Sequence, residues 1–482
     1  MVGQWFPKVG VLDVDEKAGT QAWHCEPFHR SSEFYADFGT YDVTLTVPET
    51  HVVAATGVLV SAAAAGPGLR ALTWRAEDVH DFAWMADPRM RVATAVADGD
   101  VEVRLYHRPE QARFAARHLE AARRTIETFG RLFYRYPWPI MTVIDPPAEA
   151  AGSVGGMEYP TLVTTAGDSA WVDLGPRVYI PELVTVHEVG HNWFQGILAS
   201  NEVDEAWLDE GLNEYADGIV LDEWKGAGRS VIDGWGLHAG HYPLRQAIVD
   251  ARELAAPIAI RSYEFPDVGE YATATYEKTT LALKTLEETV GRDRFRAALG
   301  AYARRFAFRH PRKEDLFAAL GEALGEDASW LLRPAFEGRG DVDLRVREVR
   351  TRKAHAARGV FGEGEGKRTV GEKEAPDTDE WVSEVLVVNV GHVPAVVDVE
   401  LRLEGGARVR ERWDTRERAW RWFELRRKDR VVGVTIDPDH RVWLEHERVK
   451  NELRTQRDWG AAWRAGARAG FWEQTLLQVV GL

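Results

Sequence analysis

The chain has 482 residues, 45% of them hydrophobic, with 19 Trp and 18 Phe, which is enough apolar material for two to four domains with substantial cores. Its 60 Lys and Arg against 76 Asp and Glu give a net charge of -16, disfavouring nucleic-acid phosphates and anionic membrane surfaces as partners and mildly favouring cationic groups. The single cysteine, Cys25, excludes an intramolecular disulfide framework and a thiolate metal cluster.

At the N-terminus, Met1 to Trp5 lacks a charged stretch followed by an apolar one, and no run in the chain reaches the length of a membrane span. A cytoplasmic setting is favoured, with a periplasmic or secreted one left open. Tyr41 to Val47 alternates as a half-buried strand closed by Pro48, and further strands are expected through Leu72 to Trp74 and Phe82 to Met85. Val101 to Leu105 alternates again, after which Ala115, Leu119, Ala122, Ile126, Phe129 and Phe133 trace a helical stripe. That change of period places a domain boundary near residue 92.

Next comes Gly155-Gly156-Met157-Glu158-Tyr159-Pro160, between the apolar run Met141 to Ile144 and the segment Thr161 to Thr165. A glycine pair beside a strand allows another backbone to approach closely, as an extended peptide would. A carboxylate at Glu158 can pair with the cationic α-amine of such a peptide, which would restrict chemistry to its first residue.

The most specific signal is His187-Glu188-Val189-Gly190-His191, preceded by Pro181, which suits the first turn of a helix, and by the apolar Leu183, Val184 and Val186. Residues four apart share a helix face, so His187 and His191 can offer two imidazole nitrogens to one zinc ion while Glu188 points into the same cavity. Two histidines under-coordinate zinc. A third ligand is expected from a carboxylate on a neighbouring helix, and Glu210 lies 19 positions beyond His191 within Trp207-Leu208-Asp209-Glu210-Gly211. Trp207, Leu208, Leu212 and Tyr215 fall at helical spacing and leave Glu210 and Glu214 on another face, with Glu214 read as an outer-shell or surface carboxylate rather than a ligand.

Beyond this point the pattern is helical: Leu281 to Leu286, Phe295 to Phe306 and Lys313 to Leu324, separated by Gly291, Pro311 and Gly325. From Gly338 the texture turns to alternating strands, at Val385 to Val390, Val396 to Leu403 and Val431 to Ile436, with a Gly- and charge-rich stretch from Gly359 to Glu374 read as an exposed loop. Trp459 to Leu482 has apolar residues at mixed helical spacing.

Taken in order, Gly155-Gly156-Met157-Glu158, His187-Glu188-x-x-His191-x-Trp193, Trp207-Leu208-Asp209-Glu210-Gly211 and Tyr276-Glu277-Lys278 resemble the motifs of the gluzincin zinc aminopeptidases, the aminopeptidase N and leukotriene-A hydrolase type known as peptidase family M1. The resemblance spans roughly residues 20 to 340. Two positions depart from the family pattern: Tyr159 stands where Asn is usual and Thr279 where Gly is usual.

The resemblance implies an α+β multidomain chain. Residues 1–91 would be the latter part of a β-rich N-terminal domain, 92–338 a thermolysin-like, mostly helical zinc catalytic domain, 339–450 a β-sandwich-like domain and 451–482 a helical segment. It further implies one zinc ion per chain on His187, His191 and Glu210, Glu188 as general base and Tyr276 as oxyanion donor. Gly155, Gly156, Met157, Glu158 and Tyr271 would contact the substrate, a peptide with a free N-terminus. Glu26 and Glu33 align only weakly with the family's second amine anchor. The implied activity is removal of the N-terminal residue of peptides. Its alternatives are a related zinc metallohydrolase, such as an endopeptidase or epoxide hydrolase, and a catalytically silent scaffold.

Overall fold

The computed structural model describes residues 1–15, 19–25, 27–29, 31, 35–167, 174–234, 236–252, 254–325, 328–373, 378–456 and 459–479. The chain divides into two compact units, Met1–Gly340 and Asp341–Leu482.

In the first unit, strands Gly39–Pro48, Leu69–Val79 and Val58–Ala64 form an antiparallel sheet in that order, and Val43 opposite Trp74 and Leu45 opposite Leu72 fix the register. Leu45, Val47, Leu72 and Trp74 turn inward. The strand expected through Phe82 begins instead at Trp84, because Asp81 Oδ1 accepts from the Phe82 N–H and occupies a donor that a strand ladder would need. A second sheet runs in the order Leu162–Thr164, Ile140–Ile144, Val101–His107, Arg91–Ala97, its first three strands mutually parallel and the last antiparallel. Every residue of Ile140–Ile144 is buried, as expected where both faces of a sheet are covered.

Helix Ala115–Leu132 carries the apolar stripe read from the sequence and packs against helix Ile180–Gly190, which in turn packs against helix Glu210–Lys225. Residues 210–221 of the last helix are all buried, so it forms the centre of the helical layer rather than one of its walls. Helices His241–Asp250, Thr279–Val290, Arg292–Phe306, Lys313–Leu324 and Ser329–Glu337 complete that layer.

Glycines set how closely these helices approach. A Cβ on Gly211 would lie 2.1 Å from Thr279 Cγ2 and 2.6 Å from the Thr275 carbonyl oxygen, and one on Gly190 would lie 2.2 Å from Asn213 Oδ1. Thr279, where the family pattern has glycine, thus fills the space that Gly211 leaves open.

The second unit contains a three-stranded sheet in the order Leu344–Lys353, Trp381–Asn389, Trp420–Arg427 and a four-stranded sheet in the order Arg408–Asp414, Val396–Leu403, Val431–Ile436, Glu452–Arg454. Val385, Val387, Val399, Leu401, Trp413 and Val434 form its core. The Gly-rich stretch read as a loop holds a short exposed hairpin, Gly359–Phe361 with Arg368–Val370, closed by backbone pairing rather than by apolar burial; its end at Glu374 lies outside the described residues. Helix Trp459–Val479 follows, and among the described residues no helix is long and apolar enough to cross a membrane.

Gly211→Ala should destabilise the protein by about 1–3 kcal/mol, because an added methyl meets both a side chain and a backbone oxygen. Thr279→Gly in the same chain should recover part of that loss, since only the side-chain clash is relieved. Denaturant midpoints at constant slope measure both effects, and an unchanged midpoint for Gly211→Ala would contradict the close helix crossing.

Candidate active site

Pro181 enters the first turn of helix Ile180–Gly190, where its missing N–H costs nothing. The helix ends at Gly190, so His191 is its C-cap rather than an interior residue. Its right-handed backbone (φ -59, ψ -16) continues the turn, and its N–H reaches the His187 carbonyl at 3.2 Å. The two imidazoles therefore still meet one turn apart, edge to face with centroids 4.5 Å apart. Glu210 opens helix Glu210–Lys225 and projects towards them.

His187 Nε2 and His191 Nε2 lie 3.1 Å apart, and Glu210 Oε2 lies 3.3 Å from the first and 3.1 Å from the second. Ligand atoms about 2.05 Å from a tetrahedral zinc ion lie about 3.3 Å from one another, so the spacing suits that ion.

The far side of each ring supports the same reading. His187 Nδ1 lies 2.8 Å from Asp217 Oδ2 and His191 Nδ1 lies 2.6 Å from Asp209 Oδ1. Carboxylates only accept, so each Nδ1 carries the proton and each Nε2 presents a lone pair to Glu210. Asp209 and Asp217 are 0% and 1% exposed, and Glu210 Oε2 is buried with no hydrogen-bond partner. Three buried acceptors facing one point without a donor fit a cation. Asn213 Nδ2 donates to the His187 carbonyl at 2.8 Å and fixes the backbone between the two helices.

Glu188 is 5% exposed, and burial pushes its carboxyl up to about 7 against the opposing pull of His187 and His191. Gly156 adopts φ +70, and a Cβ there would lie 3.3 Å from Glu188 Oε1, so a glycine leaves the space in front of that carboxylate open. A Cβ on Gly155 would lie 2.6 Å from the Ala151 carbonyl oxygen. Met157 pairs with Thr164 as an isolated antiparallel bridge, which hangs the 155–158 segment on the rim of the second sheet rather than in a full edge strand. Glu158 is half-buried, and its carboxylate lies within 4.8 Å of those of Glu202 and Asp209. Tyr159 packs against an apolar cluster containing Ala54, Ala83, Met85 and Leu162, and its hydroxyl occupies the space over Gly3.

Tyr276 sits in a π-helical turn, Thr273–Lys278, its ring stacked on His187 with centroids 5.7 Å apart and its hydroxyl donating to Glu210 Oε1. Burial, then Glu210, raises this phenol well above its ordinary range, so at neutral pH it keeps the proton it donates. Tyr271 lies edge-on to Tyr276, centroids 6.3 Å apart, and its hydroxyl donates to Glu202 Oε1 at 3.4 Å.

Contacts thus join His187, His191, Glu210, Tyr276 and Tyr271, with Gly156 against Glu188 and Glu158 beside Asp209; Glu26 and Glu33 fall outside the described residues. The sequence did not single out Asp217, Asn213, Glu202 or the outer-shell role of Asp209. Asp217 was findable, because it follows Glu210 by seven residues and so returns to the same helix face. Glu202 offers no such signal: a short helix and its asparagine cap bring it into the cleft.

A model of the peptidase family M1 domain matches residues 117–334. Aminopeptidase M1 of Arabidopsis thaliana is 28% identical over 249 residues, 49% of this chain and 26% of that one. Puromycin-sensitive aminopeptidase of Caenorhabditis elegans is 26% identical over 304 residues, 61% of this chain and 31% of that one. The chain thus spans about a quarter to a third of the length of these relatives. The crystal structure of Legionella pneumophila aminopeptidase A in complex with aspartic acid superposes with a TM-score of 0.63 at 16% identity, covering 85% of this chain and 44% of that one, which shows a shared fold. The matched segment encloses the His187, Glu210 and Tyr276 motifs, so residues 117–334 are similar to the peptidase family M1 domain.

Proposed function

We propose that this protein is a zinc-dependent aminopeptidase that releases the N-terminal residue of peptides, with one zinc ion per chain. The observation that carries the reading is the 3.1–3.3 Å triangle of His187, His191 and Glu210, with Glu188 and Tyr276 on its borders. Zinc in that triangle would supply Lewis acidity, polarising the scissile carbonyl and making the attacking water more acidic. Glu188 accepts the water's proton and returns it to the departing amine. The Tyr276 hydroxyl donates to the oxygen on which negative charge develops, a contact worth most in the transition state. Gly155, Gly156 and Met157 let the peptide backbone lie close to the sheet rim, while Tyr271 borders the substrate beside Tyr276.

Glu158 carries the restriction to the first residue. Its carboxylate pairs with the α-ammonium of the peptide, and the neighbouring carboxylates of Glu202 and Asp209 make that corner of the cleft favourable to a cation. An endopeptidase would have no use for such a corner.

Glu188→Gln should keep one zinc ion per chain, by metal quantitation, while losing turnover of aminoacyl arylamides; residual wild-type turnover in that variant would rule out Glu188 as the base. Tyr276→Phe should lower kcat by roughly 10²- to 10³-fold with KM little changed. A rise in KM at constant kcat would make Tyr276 a ground-state contact instead. N-acetylation of a peptide substrate should nearly abolish its cleavage, because it removes the charge that Glu158 pairs with and leaves that carboxylate desolvated. Equal hydrolysis of free and acetylated peptides would favour an endopeptidase.

A further inference from the structure

Behind the metal-binding triangle lies a buried ion cluster that the proposed chemistry does not use. Arg245, on helix His241–Asp250, is 8% exposed, and its guanidinium lies between two carboxylates. Its Nε is 2.6 Å from Glu214 Oε1 and its Nη1 donates to Glu277 Oε1 at 3.1 Å. Glu214 also stands 3.4 Å from His187 Nδ1 through Oε2 and 3.3 Å from His241 Nε2 through Oε1, on the helix that Glu210 opens. Glu277 immediately follows Tyr276.

The guanidinium thus ties the helix that supplies the third ligand to the π-turn that carries the tyrosine. A π-turn has one residue too many for α-helical bonding and is rarely stable on its own, so its shape depends on contacts from outside the turn. Thr275 Oγ1 donates to the Tyr271 carbonyl at 2.7 Å and Thr279 Oγ1 to the Ala274 carbonyl at 3.1 Å. Both bonds stay within the turn and its own chain neighbours. Arg245–Glu277 is a fastening that reaches across to another element: the Nη1–H donated to Glu277 Oε1 fixes direction as well as distance, while the Nε contact with Glu214 is an ion pair without hydrogen-bond alignment.

We propose that Arg245 is a positioning residue: by holding Glu277 against Glu214 it sets where the Tyr276 hydroxyl stands relative to His187 and Glu210. The proposal rests on the reading of Tyr276 as oxyanion donor for its kinetic consequence, but the positioning itself is a structural claim with its own readout. A bland alternative is that Arg245 only neutralises two buried carboxylates.

Arg245→Lys keeps the charge and loses the planar guanidinium, while Arg245→Met/Glu277→Gln removes the cation together with the Glu277 carboxylate. Both should retain zinc and lower kcat by about tenfold or more with KM unchanged, as expected for a misplaced group that acts only in the transition state. In a Tyr276→Phe background, Arg245→Lys should lower kcat by less than about twofold further, because the group through which it acts is already gone. An equal loss in both backgrounds, or wild-type kcat in the Arg245→Met/Glu277→Gln protein, would overturn the proposal in favour of simple charge neutralisation. Independently of activity, 3-fluorotyrosine placed at 276 should change its fluorine NMR shift on Arg245→Lys while one placed at Tyr302, buried on helix Arg292–Phe306, does not. An unmoved resonance at 276 would refute the positioning role. If that resonance moves while the wild-type protein hydrolyses no aminoacyl arylamide, the aminopeptidase reading fails and the structural tie stands.

Discussion

The site depends on a single electrostatic constraint: two imidazole nitrogens and a carboxylate oxygen, all acceptors, are held within 3.3 Å of one another in a buried space. Such an arrangement is unfavourable unless a cation fills it, and it persists in the fold because Asp209 and Asp217 hold the outer nitrogens of both rings. Those two aspartates lie on either side of Glu210 in the chain, at the start and second turn of one helix. Ligand and orienting groups therefore move as one body.

That body must sit close to the histidine helix, and the crossing is made possible by the absence of side chains at Gly190 and Gly211. The glycine after Glu210 is thus a packing residue, and the methyl of Thr279 shows the same contact from the other side.

The surroundings of the triangle are acidic beyond what zinc ligation needs. Glu158, Glu202 and Asp209 form one group of carboxylates facing the cleft, and Glu214 and Glu277 form another around Arg245. The first group suits an ammonium ion brought by a substrate; the second is already neutralised in part by the protein's own guanidinium. Under the proposed function the two acidic groups would have different roles, decided by whether a cation is built in or left to arrive.

The sequence by itself determined the elements whose information is local. The four-residue spacing of His187 and His191, the stripe from Ala115 to Phe133 and the span Lys313–Leu324 follow from helical periodicity, and Val396–Leu403 and Val431–Ile436 from alternation. The spacing after His191 pointed to Glu210, whereas Tyr276 was legible only through the resemblance of Tyr276-Glu277-Lys278 to a family motif. Tertiary structure alone decided which side chains meet across elements. Arg245 lies 31 residues beyond Glu214 and 32 before Glu277 with no periodic relation to either, and Glu202 reaches Tyr271 across 69 positions. Likewise the close approach at Gly211 and the filling of the space over Gly3 by Tyr159 depend on distances between separate elements. Periodicity along one chain segment encodes which face is apolar, but the partner of a buried charge is set by how those faces pack.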